Sequence, residues 1–447
     1  MKYPGSLHNH TEYSNIRLRD CIIKPQDLID YAIELNHQVV AITDHECISN
    51  AVKVEKYYKK IKEKNPDFKV ILGNEIYLVR DGLTAENFNI QTDRYFHFIL
   101  LAKDAEGHKQ IREISTRAWM RSYFTRRMRR VPTYYQDLID IIAKNPGHVI
   151  GSTACLGGFI PTKILEYRST FDNNLMKMIK QWLQSMYKLF NGDFYLELQP
   201  SNNEDQKYVN ATLLELSKEL NIKYIITTDS HYLKKEDASI HKAYLNSQDG
   251  DREVDAFYAT TYMMSTEELE SYLTELTEEQ IQTAYENILE IKNKCEDYSL
   301  LKPLKIPELI WKTYSYDEYL RNKYCNLIPN LKTFYESNYK GDQELAKAIV
   351  NKIESDKRLQ TQEIYNAVAE CLDMTWISSE VNKTHWSAYY LNLQNIIDTC
   401  WEAGSIVGPG RGSGVGFILL YLLDITQINP LWETVRTYPW RLDLKAS

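Results

Sequence analysis

The sequence predicts an α/β fold, a barrel of seven strand-and-helix units followed by a mostly helical segment. Three observations predict it. From residue 1 to about 235, short β-type runs alternate with amphipathic helical runs, the pattern of parallel strands joined by crossover helices. Side chains suited to chemistry fall at or just past those strand runs, where barrels of this kind place their sites. Beyond Leu233 the texture turns helical, and no comparable density of such side chains follows His231.

In chain order, the expected strands are 5–11, 38–43, 69–78, 95–102, 148–152, 194–198 and 223–228. Between them, 25–35 reads as a helix with Pro25 in its first turn, and in 48–64 Val52, Tyr57, Tyr58 and Ile61 recur at helical spacing. Ser265 followed three residues on by Glu268 is a capping box, and 278–295 is strongly helical. The stretch 301–307, non-periodic with two prolines, reads as a linker. Residues 315–400 are again mostly helical, and 407–414 is the glycine-rich segment, with a helix expected over 415–423. The expected division is a domain over 1–285 and a second over 286–447.

Composition bounds the function. At 447 residues the chain exceeds one ordinary core, and 43% hydrophobic with 26% charged residues is globular. No run approaches the ~18–20 apolar residues of a membrane span, and Met-Lys-Tyr-Pro-Gly begins no secretory signal. The seven cysteines are scattered without a Cys-x-x-Cys, which argues for reduced thiols rather than a disulfide framework. The expectation is a cytoplasmic protein without a membrane partner. A net charge of −8 leaves contact with a polyanion to local patches or metal ions.

The chemistry begins at His8 and His10. On an extended strand, side chains two apart share a face, so both imidazoles can reach one ion. Asp44-His45 follows the second strand run, Glu75 and His97 lie within the third and fourth, Cys155 follows the fifth, and Asp229-Ser230-His231 ends the seventh. The candidate ligands are His8, His10, Asp20, His45, Glu75, His97, Cys155, Asp229 and His231. Imidazole, carboxylate and one thiolate suit zinc, manganese or iron.

The runs Leu7-His-Asn-His-Thr-Glu-Tyr-Ser14, Ala41-Ile-Thr-Asp-His45, Gly73-Asn-Glu75, Cys155-Leu-Gly-Gly158 and Thr228-Asp-Ser-His231 resemble the PHP (polymerase and histidinol phosphatase) domain, and in particular that of the bacterial DNA polymerase III alpha subunits. The resemblance implies a distorted seven-stranded barrel carrying up to three divalent metals. His8, His10, Glu75 and Asp229 would hold the first and carry catalysis. Glu75 would bridge to a second, on His97 and Cys155, and Asp20, His45 and His231 would hold the third. It implies metal-assisted phosphoester hydrolysis, as a 3′-5′ exonuclease on the primer 3′ end in polymerase relatives. Histidinol-phosphate hydrolysis is the rival, and a non-catalytic scaffold for a polymerase half the second alternative.

From 117 to 130 six arginines, Arg117, Arg121, Arg126, Arg127, Arg129 and Arg130, interleave with Trp119, Tyr123 and Phe124, a pattern that can stack bases and track phosphates. Gly408-Pro-Gly-Arg-Gly-Ser413 lacks the lysine of a Walker loop but can still cradle phosphate. With Trp386-Ser-Ala-Tyr-Tyr and Asp424-Ile-Thr-Gln-Ile-Asn-Pro-Leu431 it resembles the start of the polymerase palm, which implies that Gly410, Arg411, Gly412 and Ser413 contact a nucleoside triphosphate. In that family an Asp-x-Asp strand binding magnesium follows the segment matching Tyr438-Pro-Trp-Arg441, whereas Asp443 here stands alone. The expectation is a split or truncated polymerase that does not extend DNA by itself and pairs with a second chain carrying the aspartates.

Overall fold

The computed structural model describes residues 1–432 apart from 17–18, 80–81, 85, 90–92, 126–127 and 248–257. It divides into two compact units, Met1–Leu301 and Lys302–Ser447. The boundary expected at 285/286 falls inside a helix, Glu278–Lys294, whose Ile288 and Ile291 are buried in the first unit. The proline-bearing linker 301–307 instead lies at the division. No helix among the described residues is long and apolar enough to cross a membrane.

The first unit is built on strands β1 (Val39–Ile42), β2 (Lys69–Val79) and β3 (Tyr95–Ala102), a small hairpin of β4 (Tyr123–Thr125) and β5 (Met128–Arg130), then β6 (Pro132–Thr133), β7 (Val149–Ser152), β8 (Phe194–Leu198) and β9 (Tyr224–Ile226). The main sheet runs β1-β2-β3-β7-β8-β9, with β6 on the side of β2. Four of these neighbouring pairs are parallel, but β2/β3 and β3/β7 are antiparallel, which corrects the all-parallel expectation. The cause is local. No helix is described between Val79 and Tyr95, so the chain doubles back, whereas a parallel pair needs a crossover of about a dozen residues or more.

Residues 4–10 close the curled sheet, although they form no regular strand. Gln38 N donates to Pro4 O (2.7 Å), Ala41 N to Ser6 O (3.1 Å) and Thr43 N to Asn9 O (2.9 Å), while on the other side His10 N donates to Ser230 O (2.9 Å). Asn9 completes the seam through its side chain, which donates to Ser6 O and Ala41 O. Gly5 makes the approach possible: its φ is +126°, and a Cβ there would lie 1.9 Å from Val39 O.

Helices cover the sheet. They are α1 (Pro25–Glu34), α2 (Ala51–Lys62), α3 (Ala105–Met120), α4 (Tyr135–Ile142), α5 (Phe159–Thr170), α6 (Asn173–Leu189), α7 (Glu204–Leu220), α8 (Ala238–Leu245), α9 (Thr266–Tyr272) and α10 (Glu278–Lys294). The strands fed by these helices are buried on both faces, so β7, β8 and β9 read as near-continuous apolar runs. Phe98, Phe190 and Phe194 stack with centroids 5.7 to 6.1 Å apart at the centre of the larger core. The capping box predicted at Ser265 and Glu268 opens α9.

The second unit is helical, with α11 (Glu318–Leu327), α12 (Asn330–Glu336), α13 (Lys340–Ser355), α14 (Gln362–Asn382), α15 (Trp386–Glu402) and α16 (Ile418–Leu422). Its core gathers Tyr324, Phe334, Leu345, Ile349, Val368, Leu372 and Leu419. The helix expected over 415–423 is shorter, a 3₁₀ turn at Ser413–Gly416 followed by α16.

Gly5→Ala should destabilise the first unit by about 2–4 kcal/mol, because the added methyl meets backbone rather than a yielding side chain, and urea unfolding measures it. His37 is buried, donates from Nε2 to Met264 O and has its titration pushed down to about 4 by that burial. Its neutral form therefore adds stability that is complete above the ordinary pKa near 6.5 and is lost as pH falls towards 4. Between pH 7 and pH 5 this one group should cost about 2 kcal/mol, and His37→Met should remove that share of the drop.

Candidate metal centre

The candidate ligands sit on the strands, on the closing segment and on the turns that follow the strands. His8 and His10 come from the closing segment, His45 from the turn after β1, Glu75 from the middle of β2, His97 from β3, Cys155 from the turn after β7, and Asp229 and His231 from the turn after β9. Glu46, Ala154 and Asp229, at or beside three of these ligands, have φ near +50° to +60°, a conformation unfavourable for residues with a Cβ. Those turns aim His45, Cys155 and Asp229 inward. Gly157 lets His97 lie flat against backbone, since a Cβ there would be 3.1 Å from the ring.

The nine side chains meet around Glu75. Its Oε2 lies 3.0 Å from His10 Nε2, 3.3 Å from His8 Nε2 and 2.9 Å from His45 Nδ1, while its Oε1 lies 2.7 Å from His97 Nδ1. Asp229 Oδ1 is 3.1 Å from both His8 Nε2 and His10 Nε2. Cys155 Sγ is 3.3 Å from His97 Nδ1. Asp20 Oδ2 reaches His45 Nε2 at 2.7 Å and His231 Nε2 at 3.4 Å.

Three overlapping groups bring ligand atoms within 4.8 Å of one another: His8, His10, Glu75 and Asp229; Glu75, His97 and Cys155; and His10, His45 and His231. The third group differs from the implied trio by drawing in His10, with Asp20 at its edge.

The donor set fits divalent metals. Both Glu75 oxygens, Asp229 Oδ1 and His45 Nδ1 are buried without an aligned hydrogen bond, an arrangement that costs free energy unless something else satisfies them. Separations near 3 Å between ligand atoms are those of groups sharing an ion about 2.0–2.3 Å from each.

Charge follows the same geometry. Burial alone would depress both imidazoles, but the carboxylates of Asp229, Glu197 and Glu75 raise His8 well above its ordinary value, and Asp229 and Glu75 raise His10 to about 9. Despite burial, the surrounding histidines hold Glu75 and Asp229 well below the carboxylate range, and His231 and His45 do the same for Asp20. His45 is lowered by burial and by the charge on His10. Burial and the charges of Asp229 and Glu75 push the Cys155 thiol up.

Sequence reasoning missed the groups that orient these ligands. Glu197, inward on β8, places Oε1 2.6 Å from His8 Nδ1 and is itself held by Ser152 and Thr227. Ser14 Oγ donates to Asp44 Oδ1 (2.8 Å), so at 3.0 Å it accepts from His10 Nδ1. In both histidines the proton on Nδ1 leaves Nε2 facing the cluster, the arrangement by which outer partners fix metal-binding tautomers. Tyr258 donates to Asp20 Oδ1 at 2.6 Å. The only signal for Glu197 was a lone carboxylate inside Phe-Tyr-Leu-Glu-Leu.

The other expected site residues lie apart from this cluster in their partners. Arg117 pairs with Glu113 and Asp140, and Arg121 forks onto Asp137 at 2.6 and 3.0 Å, because α4 presents its acidic side to the last turn of α3. Arg129 lies over Phe124 and Trp119, at 4.5 and 5.5 Å from the ring centroids, and Arg130 over Tyr95. Arg126 and Arg127 lie outside the described residues. In the second unit Arg411, Gly412 and Ser413 are exposed, and Gly410 and Gly412 take φ of +106° and +73°. The segment Tyr438–Arg441 and Asp443 lie outside the described residues.

Residues 6–201 match the PHP domain family and residues 343–438 the bacterial DNA polymerase III alpha NTPase domain. A DNA-directed DNA polymerase of Bacillus phage SPbeta is 35% identical over 450 residues, covering 95% of this chain and 34% of that protein. The DNA polymerase III subunit alpha of Aquifex aeolicus is 29% identical over 440 residues, again 95% of this chain and 34% of the relative. The chain thus spans about a third of the length of the curated relatives it matches. An amidohydrolase structure from Chromobacterium violaceum aligns with 51% of this chain and 87% of its own, at 12% identity and TM-score 0.29, too distant to add to the sequence matches. The chain is a DNA polymerase III alpha-like protein in which a PHP domain is followed by sequence of the NTPase domain.

Proposed function

We infer that the PHP domain of this chain is a metal-dependent phosphoesterase that removes nucleotides from the 3′ end of a DNA primer during replication. The observation that carries the reading is Glu75: one buried carboxylate with imidazoles on both oxygens, shared between two ligand groups that include His8, His10 and Asp229 on one side and His97 and Cys155 on the other. Divalent ions held there would activate a water and neutralise charge on the phosphate. The chain's own part is positional. Glu75 and Asp229 supply fixed negative charge, Glu197 and Ser14 keep Nε2 of His8 and His10 turned inward, and Tyr258 holds Asp20 towards His45 and His231. The second unit is assigned contact with a nucleoside triphosphate through Gly410, Arg411, Gly412 and Ser413.

The test is hydrolysis of a 3′-mismatched primer by the purified chain with manganese or zinc. Shortening from the 3′ end is expected, and His10→Ala and Asp229→Ala should each reduce it by at least ~100-fold, since each removes a direct ligand. Hydrolysis confined to small phosphomonoesters would select the histidinol-phosphatase reading, and metal binding without hydrolysis the scaffold.

Metal loading should also release protons. With His10 raised to about 9, its imidazole is protonated at neutral pH and must give up that proton to bind metal, so affinity should rise with pH up to about 9. Calorimetry at pH 7.5 in buffers of different ionisation enthalpy should show roughly one proton or more released per chain. Zero release would contradict the assignment of His10 as a ligand.

A further inference from the structure

Beside the cluster runs an open groove of about 650 Å³ with mostly apolar walls, lined by Ile16, Cys47, Ile48, Arg112, Trp119 and Met120 among others. Its walls include residues close in the chain to those that carry the metal centre. Cys47 is two residues, at most about 7.6 Å of backbone, beyond His45. Trp119 Nε1 donates to the carbonyl of Glu46, the residue between them (2.7 Å). Ile16 ends the turn that begins beside His10 and contains Ser14.

A cation stands on the groove wall and another beyond it. Arg112 is exposed on its wall without a carboxylate partner among the described residues. Arg129 lies against Trp119 and Phe124 beyond it. Met120 is 82% exposed and Ile16 54%, an unusual amount of apolar surface for residues so near a buried polar site.

We propose that this groove is the binding site for unpaired nucleobases of a single DNA strand whose end lies at the metal centre, with bases against Trp119, Met120, Ile16 and Ile48 and the backbone phosphates towards Arg112 and Arg129. The proposal rests on the nuclease reading for the role of the strand. A base offers two flat apolar faces and its linker an anion, which matches apolar walls with cations at their margin. A duplex offers stacked, covered bases and does not use such walls. This assigns Arg112, and gives Arg129 a partner role, while Arg117 and Arg121 stay with their carboxylates.

Binding can be measured apart from hydrolysis. The full chain is titrated into a fluorescent, phosphorothioate-linked oligothymidylate of about twelve nucleotides, which resists cleavage, and anisotropy is read. Trp119→Leu and Met120→Glu should each weaken binding by roughly tenfold or more, the scale of one lost stacked base. Phe171→Glu, an equally acidic change at a residue 69% exposed on the end of α5, should leave it within about twofold. An abasic strand of the same length should bind as weakly to the wild type as the normal strand does to Met120→Glu. Equal binding by Met120→Glu and wild type, equal binding of abasic and normal strands, or no binding by wild type would each overturn the groove assignment. Groove-dependent binding without hydrolysis of any primer would overturn the nuclease reading alone, and primer hydrolysis with groove-independent binding the groove alone.

Discussion

The structure depends on keeping several carboxylates buried and ionised within one barrel mouth. Glu75, Asp229 and Asp20 are all buried, and a carboxylate moved out of water costs several kcal/mol unless opposite charge is supplied. Imidazoles supply it here. His8 and His10 are driven to hold protons by Asp229, Glu197 and Glu75, while His45, pressed by burial and by His10, is driven to release one. The cluster is therefore charged with protons at the positions where the donor set suits divalent cations. Exchange of one for the other keeps the local charge compensated.

That requirement explains the irregular first segment. A regular strand at 4–10 would continue both ladders but would leave Ser6 and Asn9 as ordinary strand residues. Instead Gly5 turns the chain through a positive φ, Ser6 Oγ accepts from the Thr228 amide, and Asn9 spends its side-chain amide on Ser6 O and Ala41 O. The seam is thus satisfied partly by side chains, which frees His8 and His10 to turn inward between β1 and the end of β9. Closure of the barrel and presentation of the first two ligands are one structural event. The positive φ values at Glu46, Ala154 and Asp229 repeat the same solution at three other strand ends.

Legibility in the sequence followed the range of the physics. His8 and His10 were readable because a period of two is local, and the strand candidates were readable because apolar β-type runs are local too. The antiparallel course of β3 was not, since it depends on the connection before it, in which no helix is found among the described residues, rather than on any residue in the strand. Glu197 was hidden for the opposite reason: an apolar run announces burial, and only the fold shows that His8 waits there with Nδ1 at 2.6 Å. Asp20 lies in no strand run, and no local period places it. Its placement beside His45 and His231 follows from contacts more than 200 residues apart in sequence, with Tyr258 and His241.

The arginine-rich stretch shows how an electrostatic motif is divided by packing. Read as a string, six cations in fourteen residues suggest one basic face. In the fold, Arg121 is neutralised by Asp137 and Arg117 shared between Glu113 and Asp140, because helix periodicity turns both towards α4. Among the described residues of the stretch, Arg129 stays on its aromatic rings and Arg130 over Tyr95, while Arg112, outside the stretch, lies further back along α3. With a net charge of −8 the chain has no general attraction for a polyanion. A strand brought to this site must be held by contacts that act only at short range, and apolar walls beside two cations are contacts of that kind. In the proposed groove, selectivity for an unpaired end would arise from the wall chemistry itself, because only exposed base faces can displace water from it.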